Sequence, residues 1–385
     1  MIPYGKQSIS QEDILAVQEV LESDYITQGP IVPKFEEEIA KYCGSKYGVA
    51  VNSATSALHI ACLSLGVGPG DTVWTSPNTF VSSANAAIFC GATIDFVDID
   101  ERTYNMCPVK LEEKLESSAK KDTLPKVIIP VHYAGQSCDM KIISNLCRRF
   151  GIKIIEDASH AIGATYLDSK VGSCLYSDIA VFSFHPVKII TTGEGGMVLT
   201  NSGKLAQRAS RLRSHGTSTD KKFFDSRPSR EIWNYQQIEL GFNYRMTDIQ
   251  AALGISQLKQ IDQIIKLRRN IARIYNEKLK NLNITLPFQA SYGQSSFHLY
   301  PILINNDARN GQKKIYSYLR ECNIGVNIHY IPVHRQPFYE NMGFQRGDFP
   351  IAEDYFKKTI SLPIFPSISK NEIEFVISKL NKILS

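Results

Sequence analysis

The sequence predicts an α/β protein built around a largely parallel β-sheet. From about residue 10, segments with helical periodicity alternate with short strand-like segments, which is typical of βαβ units. The longest uninterrupted apolar stretches, such as residues 127–131, have the length of strands and fall far below the ~18 residues that a membrane helix needs. The 385 residues are 43% hydrophobic and 21% charged, which describes a globular chain with room for two or three domains.

The first half of the chain carries most of the expected sheet. Ser10 and Asp13 resemble a capping box, so a helix is predicted to follow Ser10. A turn of small residues at 52–58 follows the first strand and opens a second helix that ends near Gly66. The predicted strands lie at residues 48–51, 72–75, 93–97, 127–131, 153–155, 179–182 and 197–199.

The second half has a different character. Residues 216–237 are polar, rich in aromatic side chains and without periodicity, so we expect a long loop, a lid or an interface arm. Thr247 and Gln250 form a capping box that predicts one long helix running toward Ile274, as a bridge to a second domain. That domain is expected to contain strands at 299–304 and 326–329 and a closing helix capped by Ser369 and Glu372.

Charge and cysteine content exclude several classes of protein. The formal net charge of +5 comes from scattered basic residues, which is weak support for nucleic acid binding and fits an anionic small molecule equally well. The eight cysteines include no C-x-x-C pair, so neither a zinc site nor a disulfide framework is indicated. No basic region followed by an apolar segment marks a secretory signal, and a cytoplasmic chain is expected.

Two of the predicted strand ends carry candidate functional groups. The small hydroxyl residues at 52–58 leave backbone N–H groups free at a helix start, which suits a phosphate, although a plain helix cap has the same pattern. Asp157 and His160 follow a buried strand, at the edge where open α/β sheets bind ligands. Asp157 could neutralise a cationic ring nitrogen or simply cap a helix, and His160 could contact a cofactor ring or only pack.

A third strand end delivers a lysine. Ser183 ends the strand, and Lys188 follows between apolar residues, where burial would lower its pKa and make the amine a nucleophile. The Gly-Glu-Gly-Gly run at 193–196 provides backbone freedom for a close approach or a tight turn. Phe80 follows a predicted strand and could either cover a cofactor ring or be an ordinary core residue. Together these are the parts of a pyridoxal phosphate site, and no histidine spacing indicates a metal.

The motifs also resemble those of a known family. The runs I-T-Q-G-P (26–30), N-S-A-T-S-A-L (52–58), E-D-A-S-H-A (156–161), S-F-H-P-V-K (183–188), G-E-G-G (193–196) and G-F-N-Y-R-M (241–246) occur in the order seen in the DegT/DnrJ/StrS sugar-nucleotide aminotransferases. The likeness covers nearly the whole chain. It implies a pyridoxal phosphate enzyme of fold type I, with a large cofactor domain at residues 1–246 and a smaller α/β domain at 247–385. The N-terminal segment is a candidate contributor to the smaller domain.

The resemblance also implies roles for individual residues. Lys188 would be the Schiff-base lysine and proton carrier, Asp157 the partner of the pyridine nitrogen and Phe80 the stacking ring. His160 would lie beside the cofactor, in a position where many members carry glutamine. The cofactor phosphate would be held by three residues of the same chain and by one from the neighbouring subunit of a homodimer. These are Ala54, Thr55 and Ser183, and Asn243 from the neighbour.

Within the family the chain is similar to enzymes that aminate C4 of a UDP-linked 4-keto-6-deoxy-N-acetylhexosamine, with L-glutamate as donor, on the route to pseudaminic acid. The supporting runs include S-F-H at 183–185 and N-I-H-Y at 327–330. The similarity implies contacts with the sugar nucleotide along several parts of the chain. These residues are Tyr4, Asp24, Tyr25, Ile26, Thr27, Ala54, Ser183, Asn243, Ile328, His329, Tyr330 and Ile331.

Several alternatives remain open at this stage. One is another nucleotide-sugar aminotransferase, acting at C3 or on a dTDP-, GDP- or pentose-derived ketone. A related dehydratase is disfavoured because such enzymes lack the lysine found here at Lys188. Cysteine desulfurase chemistry would need a mobile loop cysteine, and Cys322 lies beside a predicted strand instead. The last alternative is a catalytically silent protein that kept the fold as a binding or regulatory module.

Overall fold

The structure is a computed structural model that describes residues 1–224, 233–305 and 308–384, and its helices flank a central β-sheet. The α-helices are α1 Gln11–Leu21, α2 Ile31–Cys43, α3 Ala54–Ser64, α4 Ser82–Phe89, α5 Pro108–Ala119, α6 Met140–Arg149, α7 Gly203–Leu212, α8 Asp248–Lys259, α9 Ile261–Leu279, α10 Ala308–Glu321, α11 Pro337–Glu340, α12 Pro350–Lys358 and α13 Lys370–Leu384.

The strands are β1 Tyr47–Val51, β2 Thr72–Thr75, β3 Thr93–Phe96, β4 Val127–Ile129, β5 Lys153–Asp157, β6 Thr165–Tyr166, β7 Ser169–Lys170, β8 Ile179–Ser183, β9 Gly196–Thr200, β10 Thr217–Ser218, β11 Gln236–Gln237, β12 Ile284–Thr285, β13 Gly293–Gln294, β14 Tyr300–Ile304 and β15 Thr359–Leu362. Each strand predicted in the first half of the chain is present, with its ends shifted by at most two residues.

The central sheet has seven strands in the order β1-β9-β8-β5-β4-β2-β3. Strand β9 runs antiparallel to its neighbours β1 and β8, and the other pairings are parallel. The predicted α/β class with a large, mixed and mostly parallel sheet is therefore confirmed.

Both faces of this sheet are buried, because alternate side chains of each strand point to opposite sides. On one face Val49 and Val51 pack in a cluster with α3, α4 and α7. On the other face Ala50 packs in a cluster with α2 and α8, while α5 and α6 cover the strands nearer the opposite edge. Burial on both sides explains why these strands read as short, continuous apolar runs.

The parallel arrangement brings three chain segments to one edge of the sheet. Strand β5 ends at Asp157, β8 ends at Ser183, and the chain leaving β1 enters α3 at Ala54. Because parallel strands end on the same side, the groups that follow them converge there.

The C-terminal part forms its own small sheet, in the order β12-β14-β15. It shares a core cluster with α9, α10 and α13, to which Ile2 also contributes. The capping box of Ser369 and Glu372 is present at the start of α13. The proposed division into domains at residue 246 stays a prediction.

Two expectations about this part were wrong. The single long helix is two helices, α8 and α9, which are separated at Gln260 (φ −103°, ψ 0°). Residues 326–329 do not form a strand, since only Asn327 bridges to Ser361. The Asn327 side chain accepts a hydrogen bond from the N–H of Ile328 (2.9 Å), and such local bonding competes with a sheet ladder.

The aperiodic region at 216–237 is partly structured. Strands β10 and β11 pair with each other, and residues 225–232 lie outside the described residues. Whether the region acts as a lid or an interface arm stays a prediction. Among the described residues, no helix is both long and apolar enough to cross a bilayer.

Candidate active site

A cavity of about 860 Å³ lies at the carboxyl edge of the central sheet. It collects most of the site residues that the sequence predicted, from both halves of the chain. Those lining it are Tyr4, Ala54, Thr55, Phe80, Asp157, His160, Ser183, Lys188, Ile328, His329 and Tyr330.

The other predicted residues lie outside this cavity within one chain. Asp24 and Tyr25 line a separate groove of about 360 Å³ beside α1, α2 and α8, and Ile331 lines a further cavity. Ile26 and Thr27 contact the start of α8 through backbone hydrogen bonds. Asn243 is exposed and bridges to Ser214. The roles assigned to all of them stay predictions.

The turn before α3 has the geometry of an anion site. Ser53 caps the helix, with its hydroxyl accepting the N–H of Ser56 at 3.1 Å. The N–H groups of Ala54 and Thr55 belong to the first turn and have no acceptor within the helix. Thr55 adds a hydroxyl, which contacts the hydroxyl of Ser82 at 2.8 Å. This arrangement can bind a phosphate group.

Asp157 is a buried carboxylate held by hydroxyl groups. Its Oδ2 accepts a hydrogen bond from Ser83 Oγ (2.6 Å), and its Oδ1 accepts from Ser159 Oγ (2.6 Å) and Ser159 N (3.1 Å). Asp157 is 5% exposed and forms no ion pair within the described part of the chain. A buried, oriented carboxylate of this kind suits a cationic group of a bound molecule.

Lys188 enters the same cavity from the loop between β8 and β9. Burial disfavours its charged form and lowers its pKa to about 8, although the negative charge of Asp157 partly opposes this shift. About a tenth of its Nζ is therefore an unprotonated amine at pH 7, and about half at pH 8. That state is the one that attacks a carbonyl group.

His160 and Tyr330 form a hydrogen-bonded pair on the cavity wall. His160 Nδ1 accepts the backbone N–H of Ala134 (3.3 Å), so the ring proton lies on Nε2, 3.1 Å from the Tyr330 hydroxyl. Burial and the nearby Lys188 lower the pKa of His160 well below its usual value, which keeps the ring neutral. Burial likewise lowers the pKa of His329 to about 3. Neutral rings beside Lys188 do not add positive charge to this wall.

Three side chains at or near the site are not indicated by the sequence. The sequence does not indicate Ser83, because a serine inside the small-residue run of α4 carries no signal of its own. His298 lies with its ring 4.3 Å from that of His160, although the two are far apart in the chain. Glu194 lines the cavity, although in the sequence it stands only as part of the glycine-rich run. Only contacts between distant segments reveal these residues.

Comparison with known proteins assigns the chain to a class. It belongs to the DegT/DnrJ/EryC1/StrS aminotransferase family, whose sequence model matches residues 7–381. It is a pyridoxal phosphate-dependent sugar aminotransferase, as the resemblance of its motifs implied.

Individual relatives match along the whole chain. The spore coat polysaccharide biosynthesis protein SpsC of Bacillus subtilis is 40% identical, covering 100% of this chain and 97% of the relative. The UDP-4-amino-4,6-dideoxy-N-acetyl-beta-L-altrosamine transaminase of Campylobacter jejuni is 38% identical, covering 100% and 98%. The solved structure of Helicobacter pylori PseC, an aminotransferase of pseudaminic acid biosynthesis, superposes with a TM-score of 0.91 at 30% identity, covering 100% and 99%.

The residues present fit pyridoxal phosphate. The start of α3 offers N–H groups to its phosphate. The buried carboxylate of Asp157 forms no ion pair with a described residue, and a protonated pyridine nitrogen would supply the missing positive charge. Lys188 supplies the amine that the aldehyde requires. Phe80, although apolar, is 59% exposed on the cavity and offers a ring face.

Proposed function

We propose that this protein transfers the amino group of L-glutamate to C4 of a UDP-linked 4-keto-6-deoxy-N-acetylhexosamine. The substrate would be UDP-2-acetamido-2,6-dideoxy-β-L-arabino-hex-4-ulose, in the pathway to pseudaminic acid, in the cytoplasm. The observation that carries the proposal is the full-length similarity to the Campylobacter transaminase, together with a cavity whose lining contains the groups needed for amino transfer.

The cofactor, when bound, acts as an electron sink and carries the amino group between the two substrates. The chain's own residues determine where this chemistry occurs. Ser83 and Ser159 donate hydrogen bonds to the two oxygens of Asp157 and so fix the orientation of the carboxylate, which would stabilise a positive charge on the ring nitrogen of the bound cofactor. Ala54 and Thr55 would hold its phosphate at the start of α3. Held by both groups, the cofactor would have a defined orientation in the cavity.

Lys188 moves the proton. Its Nζ, with a pKa of about 8, can both accept and return a proton near neutral pH, as a general acid–base group must. The amino group would leave glutamate, and 2-oxoglutarate would be released, before the ketosugar binds, so the reaction is expected to be ping-pong with the same lysine serving both halves. Tyr330 and His160 form a neutral wall opposite Phe80, whose ring lies 6.3 Å from that of Tyr330.

We also propose that the active protein is a homodimer in which Asn243 reaches the neighbouring site. Asn243 is exposed and lies outside the cavity of its own chain. Exposed apolar side chains lie on the same stretch, with Leu240 78% exposed and Tyr235 65% exposed. A partner surface would cover them. Sedimentation of an active monomer would contradict this part of the proposal.

The test supplies the purified protein with pyridoxal phosphate, L-glutamate and a panel of ketosugars. The panel contains 3-keto and 4-keto sugars linked to UDP, GDP and dTDP. We expect 2-oxoglutarate and a 4-amino sugar from the UDP-linked substrate, identified by mass and by nuclear magnetic resonance. Lys188→Met is the inactive control. Product from a GDP- or dTDP-linked sugar alone would refute the proposed substrate.

A further inference from the structure

Arg268 is a basic side chain buried in the interior of the protein. It lies on α9 with 1% of its surface exposed, and it forms no ion pair with any residue that the structure describes. Arginine is almost never fully buried unless it is paired, because an unpaired charge is costly to remove from water. The surroundings of Arg268 are therefore expected to hold a negative charge.

Backbone carbonyl groups satisfy only part of the Arg268 guanidinium group. Its Nη1 donates to the carbonyl oxygens of Phe297 (3.2 Å), His298 (3.3 Å) and Ile364 (3.0 Å). Its Nε has no hydrogen-bond partner in the described part of the chain. Burial lowers the pKa of Arg268 to about 10, so the group is still a cation at neutral pH. The carbonyl groups orient the side chain without neutralising its charge.

A small cavity borders Arg268. It measures about 10 Å³ and lies between α8, α9, the N-terminal residues 6–8 and the loop at 188–191. A space of this size holds one particle about as large as a water molecule. Lys6 and Lys188 line the cavity together with Arg268, and no acidic residue of the described chain does. Three basic residues thus adjoin a space that one small particle can fill.

Two of these three basic residues interact with acidic groups outside the cavity. The negative charge of Asp157 in the active-site cavity acts on Lys188, and the charge of Glu372 on α13 interacts with that of Lys6. Burial alone shifts the pKa of Arg268, without a charged partner. The uncompensated charge in this region therefore belongs to Arg268.

Asp13 is a buried carboxylate near the cavity, but it does not line it. Its Oδ2 accepts a hydrogen bond from Nε2 of Gln257 (2.6 Å), and Gln257 is the residue that lines the cavity. The same Nε2 donates to the carbonyl oxygen of Ser8 (2.9 Å), so both of its hydrogens are used. An occupant of the cavity would have to accept its hydrogen bond from Arg268 or Lys6.

The occupant that these features favour is a small monovalent anion. A water molecule would fill the space and could accept the N–H of Arg268 Nε, but it would leave the buried charge unbalanced. A phosphate or sulfate ion is larger than the space. A halide ion is only slightly larger than a water molecule, accepts N–H donors and carries the missing charge.

We propose that the cavity lined by Arg268, Lys6 and Lys188 is a binding site for one halide-sized anion such as chloride. The anion would link α9 to the N-terminal residues 6–8 and to the loop at 188–191, which carries the lysine that the cofactor requires. The site is separate from the cavity in which amino transfer is proposed, and it does not depend on the identity of the sugar substrate.

The first test locates the ion in the folded protein. Crystals of the holoenzyme grown in sodium bromide should show one anomalous peak in contact with Nε of Arg268, because bromide can replace chloride and scatters anomalously. Crystals of Arg268→Gln should lack this peak. Absence of the peak from wild-type crystals would overturn the proposal.

The second test asks whether the ion binds in solution. Thermal unfolding of the holoenzyme is compared in chloride and in gluconate, an anion too large for the cavity, at equal ionic strength. A ligand that binds only the folded state raises the melting temperature, and saturating chloride should raise it by about 2–5 °C. A bromide peak without this rise would mean binding at crystal concentration only and would also overturn the proposal.

Matched variants connect the rise in melting temperature to the cavity. Arg268→Gln should lose the chloride-dependent rise, and Lys6→Gln, which changes an exposed side chain, should reduce it. Lys266→Gln is the control, since Lys266 is exposed on the same helix as Arg268 and does not line the cavity. General effects of salt act on all four proteins alike, so each protein's difference between chloride and gluconate is the quantity compared.

The variants also decide against the proposal if their responses do not differ. A chloride-dependent rise that persists undiminished in Arg268→Gln would overturn it. If Arg268→Gln does not fold, an undiminished rise in Lys6→Gln would do so instead. Neither measurement uses a sugar substrate, so a failure here leaves the proposed amino transfer untouched, and a failure of the ketosugar assay leaves the anion site untouched.

Discussion

Gly196 is the position at which one added methyl group should disturb the phosphate-binding turn. Gly196 begins β9 and pairs with both Val51 and Ser183. A Cβ at this position would lie 2.5 Å from the carbonyl oxygen of Ser53 and 2.7 Å from the nitrogen of Ala54. Both distances are far inside the ~3.5–4.0 Å at which such atoms pack favourably, and both partners are backbone atoms. The start of α3 must therefore move.

The size of the effect follows from these contacts. Forcing a methyl group into a filled space costs about 1–3 kcal/mol, against a gain of ~0.4–1 kcal/mol from the less flexible unfolded chain. We expect Gly196→Ala to lower the free energy of unfolding by about 1–2 kcal/mol. Displacement of the N–H groups of Ala54 and Thr55 should also weaken pyridoxal phosphate binding by about 10–100-fold, the worth of one charge-assisted hydrogen bond.

The assays are denaturant unfolding of the apoprotein and titration with pyridoxal phosphate. Gly68→Ala is the matched control, because nothing lies within 4 Å of its added Cβ and its φ is not positive. That control should be as stable as wild type or slightly more stable, with unchanged cofactor affinity. If Gly196→Ala matches Gly68→Ala in both measurements, the close approach of β9 to α3 does not position the phosphate site.

Three further predictions concern the cofactor cavity. Burial lowers the pKa of Lys188 to about 8. The rate at which the apoprotein binds pyridoxal phosphate covalently should therefore rise with pH up to about 8 and then level off. A rate that still increases above about pH 9 would indicate an ordinary, exposed lysine. Asp157→Asn keeps the shape of the side chain but removes its buried charge. It should slow the half-reaction with glutamate, measured by stopped-flow absorbance, by about 10²–10³-fold. A near-normal rate would count against a charged partner for the ring nitrogen. Tyr330→Phe removes the hydroxyl that lies 3.1 Å from Nε2 of His160. The variant should lose about 1–3 kcal/mol of unfolding free energy while the glutamate half-reaction persists. Unchanged stability would show that this hydrogen bond does not stabilise the fold.

The central sheet could be predicted because its signals are local. Strands such as β2 and β8 are short apolar runs bounded by turn residues, and burial on both faces makes each run continuous. The capping box at Ser10 involves residues only three positions apart, and it is present in the structure. Patterns of this kind depend only on residues close together in the chain, so they can be recognised from the sequence.

The second half was harder, for reasons that are not local. The break at Gln260 divides one apolar stripe between α8, which packs on α1 and α2, and α9, which continues into the C-terminal core. The periodicity runs through the break and does not reveal it. Strand β15 pairs with β14, more than fifty residues earlier, and nothing near either segment signals the partner.

The sequence by itself determined the α/β class, the family and the residues whose chemistry requires a special type, above all Lys188 and Asp157. Those residues stand at strand ends within recognisable runs. Only the tertiary structure decided what surrounds them. Ser83 donates a hydrogen bond to Asp157, and burial keeps His160 neutral beside Tyr330. The reason is physical. The sequence specifies the type of each side chain, whereas the distances between side chains, their burial and their balance of charge arise only when remote segments pack together.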